Sequence, residues 1–159
     1  AMVGWAFSLA MAGNFPALVM GIWYKRTTTT AAVLGIIAGF GLCLFYLVVS
    51  RYFPGFGVKY AGMTSLLNPV TGGPIIPDLA KAMALPNAME LMPTLAHPLA
   101  NKVGWFNLNN INCGLLGVPV GFAVIYIVSQ FTKAPSAEMQ AFVDQIRQPR
   151  GKMILEEKT

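Results

Sequence analysis

Residues 1–26 read AMVGWAFSLAMAGNFPALVMGIWYKR, an almost unbroken apolar run that ends in two basic residues. About twenty apolar residues, each rising 1.5 Å along a helix, cross the hydrocarbon core of a bilayer. Residues 1–24 are therefore predicted to form a transmembrane span. Because the sequence starts inside this span, without a charged or polar lead-in, we expect it to be a piece of a larger membrane protein.

The composition of the whole chain also indicates a lipid environment. Its mean hydropathy is +0.59, with 55% hydrophobic and 11% charged residues, which is more apolar than a soluble globular domain. The net charge of +5 comes from basic residues scattered along the chain. Nucleic-acid binding needs such residues clustered among aromatics, so we expect lipid and not nucleic acid around this protein.

Two further apolar runs, residues 31–50 and 111–131, are predicted to span the membrane. Residues 51–110 between them are rich in Pro, Gly and Asn and cannot cross the bilayer as a helix, so they are predicted to form an external loop. Residues 132–159 form a tail. The predicted fold class is an all-α membrane protein with three transmembrane helices.

The charges at the ends of the spans indicate an orientation. Lys25 and Arg26 follow an aromatic pair, a combination typical of the cytoplasmic interface. Lys133 lies on the same side, whereas Arg51 and Lys102 lie on the other. The positive-inside rule therefore predicts that the amino terminus of this sequence lies outside the cell membrane and the carboxyl terminus in the cytoplasm.

The external loop contains two short helical patterns. Residues 77–86 are predicted to form an amphipathic helix, and Asn87 with Glu90 resembles a helix-capping pair. These Met-rich, proline-flanked pieces suit either the membrane interface or an ordered cap over the external mouth of the protein, and the sequence leaves both open. His97, without a companion ligand at a useful spacing, is interpreted as an ordinary loop residue.

The tail is predicted to contain an amphipathic helix over residues 137–148, which would lie along the cytoplasmic face of the membrane. Ser136 supplies its N-cap, and Pro149 ends it. The apolar residues of this helix follow a spacing of i, i+3, i+4 and i+7: Met139, Phe142, Val143 and Ile146.

Three residues of the first span are candidates for lining or bending a transport path. Asn14 brings an amide to bilayer depth, and Pro16 removes a backbone donor, so we predict a kinked helix. The kink is either a hinge near a substrate path or a packing feature in which Asn14 bonds to a neighbouring helix. Ser8 lies nearer the outer leaflet, and such a serine more often bonds to its own helix than to a ligand.

Small residues are paired at a spacing of four in the second and third spans. Gly35 and Gly39 form one pair, and Gly117 and Gly121 form the other. Pairs of this kind let transmembrane helices approach closely. We interpret all four glycines as helix-packing positions.

No residue pattern in the sequence points to catalysis. Cys43 and Cys113 lie inside or at the end of apolar spans and are interpreted as small apolar fillers, so neither a disulfide framework nor a metal site is predicted. A phosphate-binding loop, a metal quartet and a nucleophile with its base are all missing from the sequence. These observations argue against an enzyme and a bound cofactor.

Three stretches resemble the sodium/solute symporter family, and the acetate-permease or monocarboxylate branch in particular. Residues 14–28 are similar to the helix and cytoplasmic turn near the end of the transport core. Residues 114–122 are similar to the penultimate segment of those proteins, and residues 143–149 to their cytoplasmic ending. The three matches occur in the expected order, whereas residues of the long loop carry no match.

The resemblance implies the carboxyl-terminal three transmembrane helices of an inverted-repeat, LeuT-like transporter. Span one would be the last helix of the core, and the other two spans would be peripheral. The partners implied are Na⁺, a small organic anion such as a monocarboxylate, and the upstream helices, which would supply the sodium ligands. The polar substrate contacts of the family on span one would fall near residues 4–8, where this sequence offers Ser8.

Two other functions remain open at the level of sequence. The same transporter-like module occurs in sensor proteins, where it feeds a signalling domain. A small structural membrane subunit with three spans is the other alternative. Coding sequence upstream of residue 1 tests the structural subunit, because a transporter requires further spans there. A long soluble region after the cytoplasmic end would instead indicate the sensor.

Overall fold

The computed structural model describes residues 2–84 and 99–147, with residues 145–147 described by their backbone alone. The described helices, in chain order, are α1 (Met2–Trp23), α2 (Thr29–Tyr52), α3 (Pro54–Tyr60), α4 (Leu79–Met83), α5 (Gly114–Phe131) and α6 (Ala137–Arg147). Three segments are long and apolar enough to cross a membrane, namely α1, α2 and Asn110–Phe131. The chain is therefore a mostly helical, multi-pass membrane protein.

The ends of these helices differ slightly from the predicted spans. α2 starts at Thr29, two residues before the predicted span, because the Thr28 hydroxyl accepts a hydrogen bond from the backbone N–H of Ala31 at 3.3 Å. α5 starts at Gly114, since a 3₁₀ turn occupies Asn110–Asn112 directly before it. α6 follows the predicted tail helix as far as its described end.

The three long helices pack against one another in pairs, and α5 runs antiparallel to α2. Four residues forward along α2 correspond to four residues backward along α5. A Cβ added at Gly35 would lie 3.1 Å from the Gly121 carbonyl oxygen, and one added at Gly39 would lie 3.0 Å from the Gly117 carbonyl oxygen. One turn further on, Cys43 meets Cys113. This row of small residues fixes the register of the two helices.

The described parts of the loop between α2 and α5 fold onto one end of the bundle, which we call the loop end. The loop includes α3, a helix that the sequence pattern does not predict, and two short strands, β1 (Thr64–Ser65) and β2 (Val103–Gly104). The strands pair antiparallel, so the first arm of the loop, which follows α2, meets the second arm, which leads into α5. α4 lies within the predicted helix 77–86. Asn87, Glu90 and His97 lie outside the described residues.

Candidate functional site

The three candidate residues of α1 do not share a face of the helix. Pro16 is buried and Ser8 is half-buried, both on the side that packs against α2 and α5. Asn14 is exposed on the other side, and its side chain makes no hydrogen bond to any residue that the structure describes. Residues two apart on a helix point about 200° apart, so Asn14 and Pro16 cannot line the same path.

Ser8 is held by a neighbouring segment and not by its own helix, unlike the sequence-based expectation. Its hydroxyl donates a hydrogen bond to the Ile111 carbonyl oxygen in the 3₁₀ turn before α5. The turn lies against α1 at this level, since a Cβ added at Gly4 would come within 2.9 Å of the Ile111 side chain. Sequence could not anticipate this contact, because the partner is 103 residues away. The bond fixes the start of α5 to α1.

Pro16 lies inside α1, which continues without a break from Met2 to Trp23. Its ring packs against α5 where Gly121 leaves space, because a Cβ added at Gly121 would lie 2.8 Å from the Pro16 Cγ. This contact is the one that the packing interpretation of Pro16 expects.

The closest approach of all three long helices involves one small residue from each: Ala12, Gly39 and Gly117. Ala12 is fully buried. A Cβ added at Gly117 would lie 2.6 Å from the Ala12 Cβ and 2.6 Å from the Gly39 carbonyl oxygen. No side chain larger than hydrogen fits there without moving a helix, so these glycines are packing positions in the structure.

The row of small residues brings together Cys43 and Cys113, whose positions in the sequence indicate only small apolar fillers. Both side chains are fully buried and free, and their Sγ atoms lie 2.8 Å apart. The spacing carried a signal for this contact. Cys43 follows Gly39 by four residues and Cys113 precedes Gly117 by four, so each cysteine extends the glycine row by one helical turn.

At the loop end, Tyr46 anchors the second arm of the loop to α2. The Tyr46 side chain is fully buried. Its hydroxyl donates to the Leu108 carbonyl oxygen at 2.5 Å and accepts the Trp105 backbone N–H at 3.1 Å. The Trp105 indole N–H donates in turn to the Ala61 carbonyl oxygen at 2.6 Å. A single buried hydroxyl therefore ties two backbone groups of the loop to the bundle.

Arg51 forms an unusual cluster with aromatic rings at the same end. Its guanidinium carbon lies 4.8 Å from the centre of the Trp5 ring and 5.6 Å from that of Tyr52, distances at which a cation is attracted to the ring face. The Arg51 Nε and the Trp5 Nε1 are both buried without an acceptor among the described residues. A buried unpaired donor costs about 1–3 kcal/mol, so this cluster is suited to receive an oxygen acceptor.

The opposite end of the bundle, which we call the α6 end, is held together by the basic residues of the α1–α2 turn. The Lys25 ammonium lies 2.7 Å from a carboxylate oxygen of Asp144 in α6. The Arg26 guanidinium donates to the carbonyl oxygens of Ser129 and Gln130, both at 3.2 Å. These carbonyls belong to the last turn of α5, where a cation also complements the helix dipole.

A cavity of about 440 Å³ opens at the α6 end between the α1–α2 turn and the start of α6. Its polar lining consists of hydroxyls and one ammonium group: Thr27, Thr28, Thr29, Lys133 and Ser136. Within residues 2–84 and 99–147, no three His, Cys, Asp or Glu side chains lie close enough together to hold a metal ion.

Comparison with known proteins gives one informative match. The chain is 31% identical over 146 residues to an uncharacterized symporter of Cupriavidus necator. The match covers 92% of this chain but 16% of that protein. No family model and no solved structure matches the chain. This chain is therefore a multi-pass membrane protein similar to one part of a much longer symporter.

Proposed function

We propose that this chain is the carboxyl-terminal part of a secondary active transporter that couples Na⁺ to the uptake of a small organic anion such as a monocarboxylate. One observation carries this proposal: an alignment to a symporter, at 31% identity, extends over 92% of the chain. In it, α1 is the last helix of an inverted-repeat, LeuT-like core, and α2 and α5 are peripheral helices.

The two faces of α1 support its position next to further helices. One face packs on α2 and α5 through Ala12 and Pro16, both buried. The other face is apolar and open, with Phe7 72% and Leu18 63% exposed, and it carries Asn14. An unpaired amide at bilayer depth is costly, so such residues face other helices or a water-filled path. We therefore infer that this open face of α1 contacts the upstream transport core.

The proposal places the α6 end on the cytoplasmic side of the cell membrane. Lys25, Arg26 and Lys133 all lie at this end, as the positive-inside rule requires. Cysteines introduced for labelling with an impermeant maleimide test the assignment. Val70 is 89% exposed in the loop and Thr29 is exposed at the start of α2. In intact cells we expect Val70→Cys to react and Thr29→Cys to be protected, and the reverse pattern would overturn the orientation.

Transport itself is tested with the complete protein that carries this chain, purified and reconstituted in liposomes. An inward Na⁺ gradient should drive accumulation of labelled acetate above its equilibrium level, and a sodium ionophore should abolish it. A K⁺ gradient of the same ionic strength is the matched control, and succinate tests whether a dicarboxylate is excluded. Equal acetate uptake under Na⁺ and K⁺ would contradict sodium-coupled symport.

A further inference from the structure

The two thiols in the row between α2 and α5 are close enough to react with each other. The Sγ atoms of Cys43 and Cys113 lie 2.8 Å apart, and a disulfide bond is about 2.05 Å long. A movement of less than about 1 Å would bring them to bonding distance. Gly39 and Gly117, one turn away on each helix, allow the backbones to approach this closely. The contact is therefore built by the helix packing and does not depend on a flexible segment.

We propose that Cys43 and Cys113 form a disulfide that fastens the start of α5 to α2. The bond would join residues 70 apart in sequence and close the whole external loop into a ring. It would sit one turn from Tyr46, whose hydroxyl already ties Leu108 and Trp105 to α2. This proposal rests on the orientation proposed above, because the loop end then faces the oxidising outer compartment.

The formation of the bond follows ordinary thiol–disulfide exchange. The Cys113 thiolate attacks the disulfide of an external thiol–disulfide oxidoreductase and forms a mixed disulfide, which releases one thiolate of that carrier. The Cys43 thiolate then attacks the Cys113 sulfur and releases the second carrier thiolate. The two cysteines lose two electrons and two protons, and the carrier disulfide is reduced to two thiols. Because both side chains are fully buried in the folded chain, exchange takes place before the loop closes over them.

The test measures the oxidation state of each cysteine in the complete protein, made in cells. Cells are quenched with acid, the protein is denatured, and free thiols are blocked with N-ethylmaleimide. After reduction, the newly released thiols receive deuterated N-ethylmaleimide, and mass spectrometry locates each label. We expect deuterated label on both cysteines in most molecules, and a peptide linking them in the unreduced sample. Undeuterated label on both cysteines would overturn the proposal.

Single substitutions control for other partners. In Cys43→Ser, the remaining Cys113 should change to the undeuterated label, and in Cys113→Ser the same should happen to Cys43. Deuterated label on the remaining cysteine would mean a different partner and would also overturn the proposal. The wild-type measurement needs no variant, so it stands even if these variants fail to fold.

Labelling of Val70→Cys from outside the same cells separates this proposal from the transporter. Reduced thiols in cells where Val70→Cys reacts would overturn the disulfide and leave the proposed function standing. Reduced thiols in cells where Val70→Cys is protected would overturn the orientation and, with it, the disulfide, while Na⁺-driven uptake in liposomes still tests the transporter.

Discussion

The contact between α2 and α5 and the open face of α1 are both apolar, but this chain completes the first and leaves the second without a partner. Between α2 and α5, glycines bring the backbones together, and Cys43, Ile125 and Ser129 are fully buried. On the open face of α1, large side chains surround the exposed amide of Asn14. Exposure alone does not separate a surface that faces lipid from one that faces other helices. The amide favours other helices over lipid, because lipid offers it no hydrogen-bond partner.

The largest expected effect comes from breaking the completed contact. In Gly117→Leu, the new side chain would start 2.6 Å from the Ala12 Cβ and the Gly39 carbonyl oxygen, so the three helices must separate. Overpacking of this kind costs about 1–3 kcal/mol or more. We expect most of the folded protein to be lost in size-exclusion chromatography of the detergent extract.

The matched control for this variant is Gly41→Leu. Gly41 lies on the same helix as Gly39, and a Cβ added there meets nothing within 4 Å. Leucine has a better helix propensity than glycine by about 1 kcal/mol or less, so this variant should fold at least as well as the wild type. Equal losses in the two variants would show that the row of glycines is not a packing seam.

A smaller effect is expected from Asn14→Leu. Whether this substitution lowers or raises the stability of the complete protein is informative. If Asn14 contacts an upstream helix, the substitution leaves a buried partner unpaired and destabilises the complete protein by about 1–3 kcal/mol. If Asn14 faces lipid, leucine is the better residue and the protein becomes more stable. We expect a lower melting temperature. The control is Leu18→Met on the same open face, which conserves volume and should change stability little.

The smallest effect is expected at the α6 end, where the contacts are solvent-exposed. Lys25 and Asp144 form an ion pair with side chains 47% and 46% exposed, and such pairs contribute about 0–1 kcal/mol. Lys25→Met should therefore lower the melting temperature only slightly, by an amount that falls further in high salt. A double-mutant cycle with Asp144→Asn measures the pair itself. A coupling energy well above this range would mean that α6 is fixed to the bundle more firmly than the structure indicates.

The membrane spans could be predicted from sequence because hydropathy along the chain is a local property. The helix in residues 54–60 was missed because its short, glycine-containing sequence has no periodic pattern. The contacts of Ser8 and Tyr46 were also missed, since their partners lie 103 and 62 residues away. A single sequence does not show which segments, distant along the chain, are in contact in the fold.

Two features of the candidate site were nevertheless within reach of sequence. The separation of Asn14 from Pro16 follows from their spacing, because residues two apart cannot share a helix face. The meeting of Cys43 with Cys113 follows from extending the two glycine pairs by four residues, once α2 and α5 are assumed to be antiparallel. Both inferences require each residue to be assigned to a face of its helix, together with the other residues on that face.

The central claim is that the open face of α1 contacts the transport core, whereas the outer face of α5 faces lipid. Site-specific photo-cross-linking in the complete protein tests it directly, with a photoreactive amino acid at Leu18 in α1 or at Ile127 in α5, both of which are exposed. We expect the probe at Leu18 to link to peptides of the same protein that lie outside this sequence, and the probe at Ile127 to link to lipid. Lipid adducts alone at Leu18 would contradict the account.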